Sequence, residues 1–144
     1  MTITICASIS FYKDVVDIKN QLVGKGFTVL MPHLAEVMER DNDFDRERQL
    51  AKRRKDNPKR HKTEAIMMHF NKIEKSDAIL VVNKKKNGVA GYIGGNVLME
   101  MGIAFYLGKK IYLLNPIPDV NWREEIVAMQ PIIIEADISR ILLR

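Results

Sequence analysis

Glu100 is the only charged residue between Lys86 and Lys109, in a chain of which 28% is charged. It follows a glycine-rich turn, Gly91-Tyr92-Ile93-Gly94-Gly95, and lies in the apolar run Val97-Leu98-Met99-Glu100-Met101-Gly102-Ile103-Ala104-Phe105. A carboxylate in such surroundings loses hydration, so its charge must be compensated or its pKa rises. Groups held under that strain concentrate at functional sites. The exposed side of an amphipathic helix would place a glutamate at the same spacing, so spacing alone leaves both readings open.

The elements that must position this glutamate read as alternating strand and helix. Thr2 to Ala7 is a short β-branched strand, followed by a polar turn, Ser8-Ile9-Ser10. Tyr12 to Leu22 has helical spacing through Val15, Val16, Ile18 and Leu22, stopped by Gly24 and Gly26. Phe27 to Met31 is a second strand ended by Pro32-His33. A long charged connection follows, with a helix near Arg46 to Arg54 and a break at Asn57-Pro58. Thr63 can cap the next helix, which carries Ile66, Met67, Phe70 and Ile73 on one face.

Ala78-Ile79-Leu80-Val81-Val82 is apolar on both faces, the mark of a strand buried inside a parallel sheet. The Glu100 helix stops at Gly108, and Ile111 to Leu114 is another buried strand. Trp122 to Met129 reads as helix, Ile132 to Ile134 as a fifth strand, and Asp137 to Leu143 as a closing helix. This order predicts an α/β domain, an open five-stranded parallel sheet with helices on both faces. Ligands of such sheets gather at the strands' carboxyl ends, where the strand order reverses. Three loops leave strand ends in this way: Ser8 to Phe11, Pro32-His33, and Asn83 to Asn96.

Composition sets the limits. A chain of 144 residues fits one domain, and 47% hydrophobic residues suit an ordinary globular core. One cysteine, Cys6, excludes an internal disulfide framework and suits a reducing cytoplasm; its plain reading is a small buried core residue. The N-terminus has no signal-peptide pattern, and the glycines, Asn96 and Glu100 argue against a membrane span over Gly88 to Leu107. The protein is expected to be cytoplasmic.

His33, His61 and His69 lie on separate elements without ligand spacing, so no metal is expected. Neither a phosphate-binding Gly-x-x-x-x-Gly-Lys-Ser/Thr loop nor a Gly-x-Ser-x-Gly elbow occurs. No cofactor is expected.

Taken together, Ser76-Asp77, the run from Asn96 to Ala104, and Gly108-Lys109 resemble the nucleoside 2-deoxyribosyltransferase-like family, which includes the 2′-deoxynucleoside 5′-phosphate N-hydrolases. That family's pattern is Ala/Ser-Asp opening a strand, a variable loop, Gly-x-x-x-Glu-h-Gly-h-Ala with h apolar, and Gly-Lys before the next strand. Asn96 stands where the pattern has its first glycine, with Gly95 adjacent. Cys6-Ala7-Ser8-Ile9-Ser10 is similar to the first nucleotide-contacting loop of the N-hydrolases. The resemblance covers most of the chain except a basic insert from about Asp41 to Lys62.

The resemblance implies cleavage of the bond between a (deoxy)ribose and its base, by hydrolysis or transfer, in a homodimer or higher oligomer. It implies Glu100 as the nucleophile that attacks the anomeric carbon, and Asp77 as a supporting acid or orienting group. An ionised carboxylate suits that task, because it can stabilise or trap an oxocarbenium-like transition state. Ser8, Ile9, Ser10, His33, Tyr92, Gly94, Gly95 and Asn96 are the expected substrate-binding residues. Plainer readings stand beside these: Asp77 as a turn residue, Ser10 as a helix cap, Tyr92 as packing. The family's transferases carry an acidic residue six positions before the glutamate. Here that residue is Gly94, so another group takes its place or transfer is absent.

Two other classes compete. A non-catalytic nucleotide-binding or sensing domain would keep the glycine-rich loop without needing an ionised Glu100. A nucleic-acid-binding protein would use Arg46 to Lys62, where nine basic residues face two acidic ones. That segment lacks interleaved aromatics, which weakens the case for base stacking. The apolar residues Leu98, Met99, Met101, Phe105 and Tyr106 exceed what one helix face buries, a second reason to expect a homo-oligomer.

Overall fold

The structure, a computed structural model, describes residues 1–53 and 57–143. Its strands are β1 (Thr2–Cys6), β2 (Thr28–Leu30), β3 (Ala78–Val81), β4 (Lys110–Leu113) and β5 (Ile132–Ile133), in the order β2-β1-β3-β4-β5. Every pairing is parallel. The helices are α1 (Tyr12–Gly24), α2 (His33–Asp41), α3 (Arg46–Arg53), α4 (Pro58–Glu74), α5 (Gly95–Tyr106) and α6 (Arg123–Ala128). The expected open five-stranded parallel sheet is present.

The alternation of side chains along each strand divides the core into two layers. Ile3, Ile5, Leu80 and Tyr112 face α1 and α2, meeting Val15, Leu22, Leu34 and Met38. Cys6, Ile79, Val81, Ile111 and Leu113 face the other way, against Ile73 of α4, Val97, Met101 and Ala104 of α5, and Ile126 of α6. All four residues of β3 are buried, as a central strand covered on both faces requires.

Three elements differ from the sequence expectation. The connection after Pro32 forms helix α2, burying Leu34, Ala35 and Met38 and closing at Asn42 with φ 48°. Its charged residues had masked a short amphipathic stripe. Helix α4 starts at Pro58, well before Thr63. The Asn57 side chain accepts a 3.1 Å hydrogen bond from the Arg60 amide, and proline occupies the first turn, where no amide hydrogen is needed. The C-terminal helix reduces to one 3-10 turn, Ile138–Arg140, capped by Asp137.

The described parts of the basic insert are largely helical, in α3 and the start of α4. In α3, Gln49 is buried and donates to the Asp43 carbonyl at 3.0 Å, and Leu50 packs on the α1–α2 layer. Arg54, the expected end of that helix, and Lys55 and Asp56 lie outside the described residues. The stretch from Gly88 to Leu107 is a loop followed by the twelve-residue α5. Among the described residues no helix is long and apolar enough to cross a membrane.

Candidate active site at the carboxyl ends of the central strands

The strand order reverses between β1 and β3: the chain leaves β1 toward β2 on one side, while β3 and β4 extend the other. In sheets of this kind ligands sit at that reversal, between the loop after β1 and the loop after β3. The turn after β1 runs through Ala7 and Ser8 into a 3-10 turn, Ile9–Phe11, and then α1. The loop after β3 leads into α5, which carries Glu100 in its second turn.

Glu100 meets two groups supplied by other elements. Its Oε2 lies 3.7 Å from Nε2 of His69 on α4, and that nitrogen lies 3.4 Å from Sγ of Cys6, the last residue of β1. All three side chains are withdrawn from water; Glu100 keeps 15% of its side-chain surface. Glu100 Oε2 and His69 Nδ1 are buried with no hydrogen-bond partner. Three potential ligand atoms, Sγ, an imidazole nitrogen and a carboxylate oxygen, thus fall within 4.8 Å of one another.

Burial sets their ionisation. It pushes the Glu100 carboxyl up to about 8, with the Cys6 thiol and the Lys62 charge pulling the other way. It pushes His69 down to about 4, helped by the Lys72 ammonium and opposed by Glu36. The Cys6 thiol rises through burial and then through the nearby Glu100. His69 and Glu100 are close enough to count as an ion pair, but opposite shifts keep both neutral between about pH 4 and 8. The contact is therefore a pair of neutral groups until something draws a proton away.

Around this centre stand groups from α1, α3 and α4. The Tyr12 phenol is raised by burial, by Glu100 and then by Cys6, while Arg53 lowers it, so Tyr12 shares the electrostatic environment of the carboxylate. Arg53 and Lys62 belong to the basic insert; Arg53 brings positive charge toward Tyr12 and Lys62 toward Glu100.

The two loops are tied to each other. Lys86 Nζ donates to Ser8 Oγ at 2.9 Å and lies 5.2 Å from the centre of the Tyr92 ring. Burial and the charge of Arg46 lower the Lys86 pKa. Ser8, Lys86 and Tyr92 therefore form one contact set at the switch point. Tyr92 is half-buried, and a Cβ on Gly94 would stand 3.0 Å from its hydroxyl, so the aromatic ring packs against the backbone that starts α5. Gly94 is the N-cap of α5 and offers no side-chain cap; Gly95 and Asn96 follow, exposed. Asn96 lies one helical turn before Glu100.

The other expected residues are placed differently. Asp77 accepts a 2.7 Å hydrogen bond from the Thr2 amide, at the start of β3. The register pairs Ile3 with Ala78 and Cys6 with Val81, so Asp77 is at the amino end of the sheet, about 13 Å of strand from the Cys6 end. It shares a surface depression with Met1, Gly108 and Lys110. Its assignment as a group acting beside Glu100 is corrected: it ties β1 to β3. Ser10 is exposed within the 3-10 turn and does not cap α1, whose N-cap is Phe11. His33 begins α2, exposed, 3.3 Å from Glu36. Glu36 reaches α4 through Lys72 at 2.7 Å, which also donates to the Met31 carbonyl. Ile9 is half-buried against the α1–α2 layer.

One strand over, Asn83 clasps the loops after β3 and β4. Its Nδ2 donates to the Asn115 carbonyl at 2.9 Å, its Oδ1 accepts from the Asn115 amide at 2.9 Å, and its carbonyl accepts from Asn115 Nδ2. Gly91 is forced by this closeness: φ is +67°, and a Cβ would meet the Pro116 carbonyl at 2.5 Å. A cavity of about 640 Å³ lies beside the clasp, lined by Lys85, Ala90, Gly91, Pro116 and Asp119 among others. It excludes Glu100 and His69, so this cavity and the titratable cluster are separate places.

Sequence reasoning missed Cys6, His69, Tyr12, Arg53 and Lys62. Cys6 carried a signal in its position, the last residue before the turn of the first strand. His69 carried none, because α4 reaches β1 only through the tertiary fold.

No family model matches the chain, and no curated protein does. Among solved structures, a 2-deoxyribosyltransferase from the psychrotolerant bacterium Bacillus psychrosaccharolyticus is similar with a TM-score of 0.56. The likeness covers 81% of this chain and 73% of that one, at 18% identity. At that identity the comparison speaks for the fold. The chain has the α/β fold of a nucleoside 2-deoxyribosyltransferase.

Proposed function

We propose that the protein cleaves the N-glycosidic bond of a nucleoside or nucleoside 5′-monophosphate, with Glu100 as the nucleophile. The observation that carries this reading is the placement of a buried carboxylate, with an unpartnered oxygen, at the switch point of a deoxyribosyltransferase fold. Glu100 attacks the anomeric carbon, the carbon–nitrogen bond breaks, and its electron pair leaves with the base. Water then attacks the same carbon and releases the sugar and the carboxylate. The ionised form does this work, and Lys62 and the Cys6 thiol favour it against burial.

Ser8, Lys86 and the uncapped start of α5 at Gly94, Gly95 and Asn96 supply donors for sugar hydroxyls or a 5′-phosphate. Tyr92 packs beside these groups, and His33 stands at the start of α2, just after β2. Hydrolysis is favoured over transfer, since Gly94 stands in place of an acidic group. We also propose a homo-oligomer. Met101 is buried and Leu98 half-buried, but Met99, Phe105 and Tyr106 on α5 remain exposed, as do Met67 and Met68 on the adjoining α4.

The test is chromatographic detection of free base with a panel of nucleosides and 5′-monophosphates, wild type beside Glu100→Ala. Base release by the wild type alone is expected. No release from any substrate by the folded wild type would leave the nucleotide-binding reading in its place.

A further inference from the structure

We propose that Cys6, His69 and Glu100 form a binding site for a soft divalent cation of the zinc class, and that its occupancy withdraws Glu100 from chemistry. The site is the one described above, but the binding does not depend on the reaction assigned to it.

The geometry is the first argument. A tetrahedral zinc holds sulfur at about 2.3 Å and nitrogen at about 2.0 Å, which sets sulfur and nitrogen about 3.5 Å apart. Cys6 Sγ and His69 Nε2 are 3.4 Å apart. The same geometry sets a nitrogen and a carboxylate oxygen about 3.4 Å apart; His69 Nε2 and Glu100 Oε2 are 3.7 Å apart. With all three ligand atoms inside 4.8 Å, one small movement of the Glu100 side chain completes three legs of a tetrahedron.

Charge is the second. A thiolate and a carboxylate carry two negative charges, and a neutral imidazole carries none, so a divalent cation leaves no net charge buried. Without a cation, the pocket holds a buried carboxylate oxygen that nothing satisfies. A nearby cation inverts the local preference for neutral acids. Binding then releases up to two protons, one from Cys6 and one from Glu100, and leaves the proton of His69 on Nδ1. Ligand softness selects the metal, because thiolate and imidazole favour zinc or cobalt over magnesium or calcium. Three protein ligands leave a fourth position open, and the 15% exposure of the Glu100 side chain gives a path from solvent.

The test begins with chelator-treated protein titrated with cobalt(II) and then zinc(II), read by absorption and by calorimetry at two pH values. Expected are one equivalent bound, a thiolate-to-cobalt charge-transfer band bleached by zinc, proton release, and a zinc-dependent rise in Tm. Cys6→Ser removes the band, and His69→Gln weakens binding at least about tenfold. Circular dichroism of each variant establishes that it is folded. No stoichiometric binding by the folded wild type would overturn the proposal. So would binding unchanged in both variants, which would place the metal elsewhere, such as on the exposed His33 or the half-buried His61. Zinc binding together with no base release by the metal-free protein from any substrate would sink the proposed reaction and leave this site standing. Base release with no metal binding would do the reverse. Base release by the metal-free protein that saturating zinc does not suppress would overturn the claim that occupancy withdraws Glu100.

Discussion

Nε2 of His69 stands 3.7 Å from Oε2 of Glu100, and the two groups are shifted in opposite directions by the same burial. A histidine and a glutamate so close would pair as ions on the surface. Here the interior favours both neutral forms, and the carboxyl proton becomes the quantity that controls the site.

Activity should therefore rise with pH. If the ionised Glu100 is the nucleophile, kcat/KM climbs through an apparent pKa near 8, about tenfold per pH unit on the acid side. A pH–rate profile from 5 to 9.5 reads it directly.

Stability should carry the same signature. The folded-state pKa of Glu100 is raised, so its contribution is full below about 4.5 and lost as pH rises through about 8. Glu100→Gln removes that loss and gains on the order of 3 kcal/mol relative to wild type at pH 9, compared with pH 5. His69 is depressed, so its contribution is present above about 6.5 and lost as pH falls through about 4. Between about 4.5 and 6.5 the two trends oppose each other. Urea unfolding of wild type, Glu100→Gln and His69→Gln across this range separates them.

Lys86 should distinguish phosphorylated from unphosphorylated substrates. Its ammonium bonds Ser8 at the switch point, where a 5′-phosphate would lie. Lys86→Met is expected to raise KM for a 5′-monophosphate about tenfold or more and to leave the matching nucleoside nearly unchanged. Steady-state kinetics on the pair of substrates check this.

Gly91→Ala should destabilise the protein by about 2–3 kcal/mol, because the left-handed backbone and the Pro116 carbonyl both oppose a Cβ. Asn83→Ala, which removes the clasp to Asn115, is expected to do similar damage. Thermal unfolding measures both.

The parallel sheet was legible because its central strands are apolar on both faces and its turns are marked by glycine, proline and serine. Ala78 to Val82 announced a buried strand, and the glycine-rich turn announced the start of α5. Helix α2 was not legible, since nine residues with Glu36, Glu39, Arg40 and Asp41 show too short a stripe to stand out from a charged loop. Asp77 was read at the opening of its strand, which is the amino end of the sheet; the motif, and not that position, suggested its chemistry. Glu100 stood out through isolation among apolar residues. Its companions Cys6 and His69 did not, because 63 residues separate them and only the packing of α4 on β1 brings them together.

The proposed role of Glu100 is tested most directly by peptide mass mapping of the protein quenched during incubation with the substrate from which it releases base fastest. A sugar or sugar-phosphate adduct is expected on the peptide carrying Glu100, absent from Glu100→Gln, which also releases no base. Base release that persists in Glu100→Gln, with no adduct on that peptide in the wild type, would contradict it.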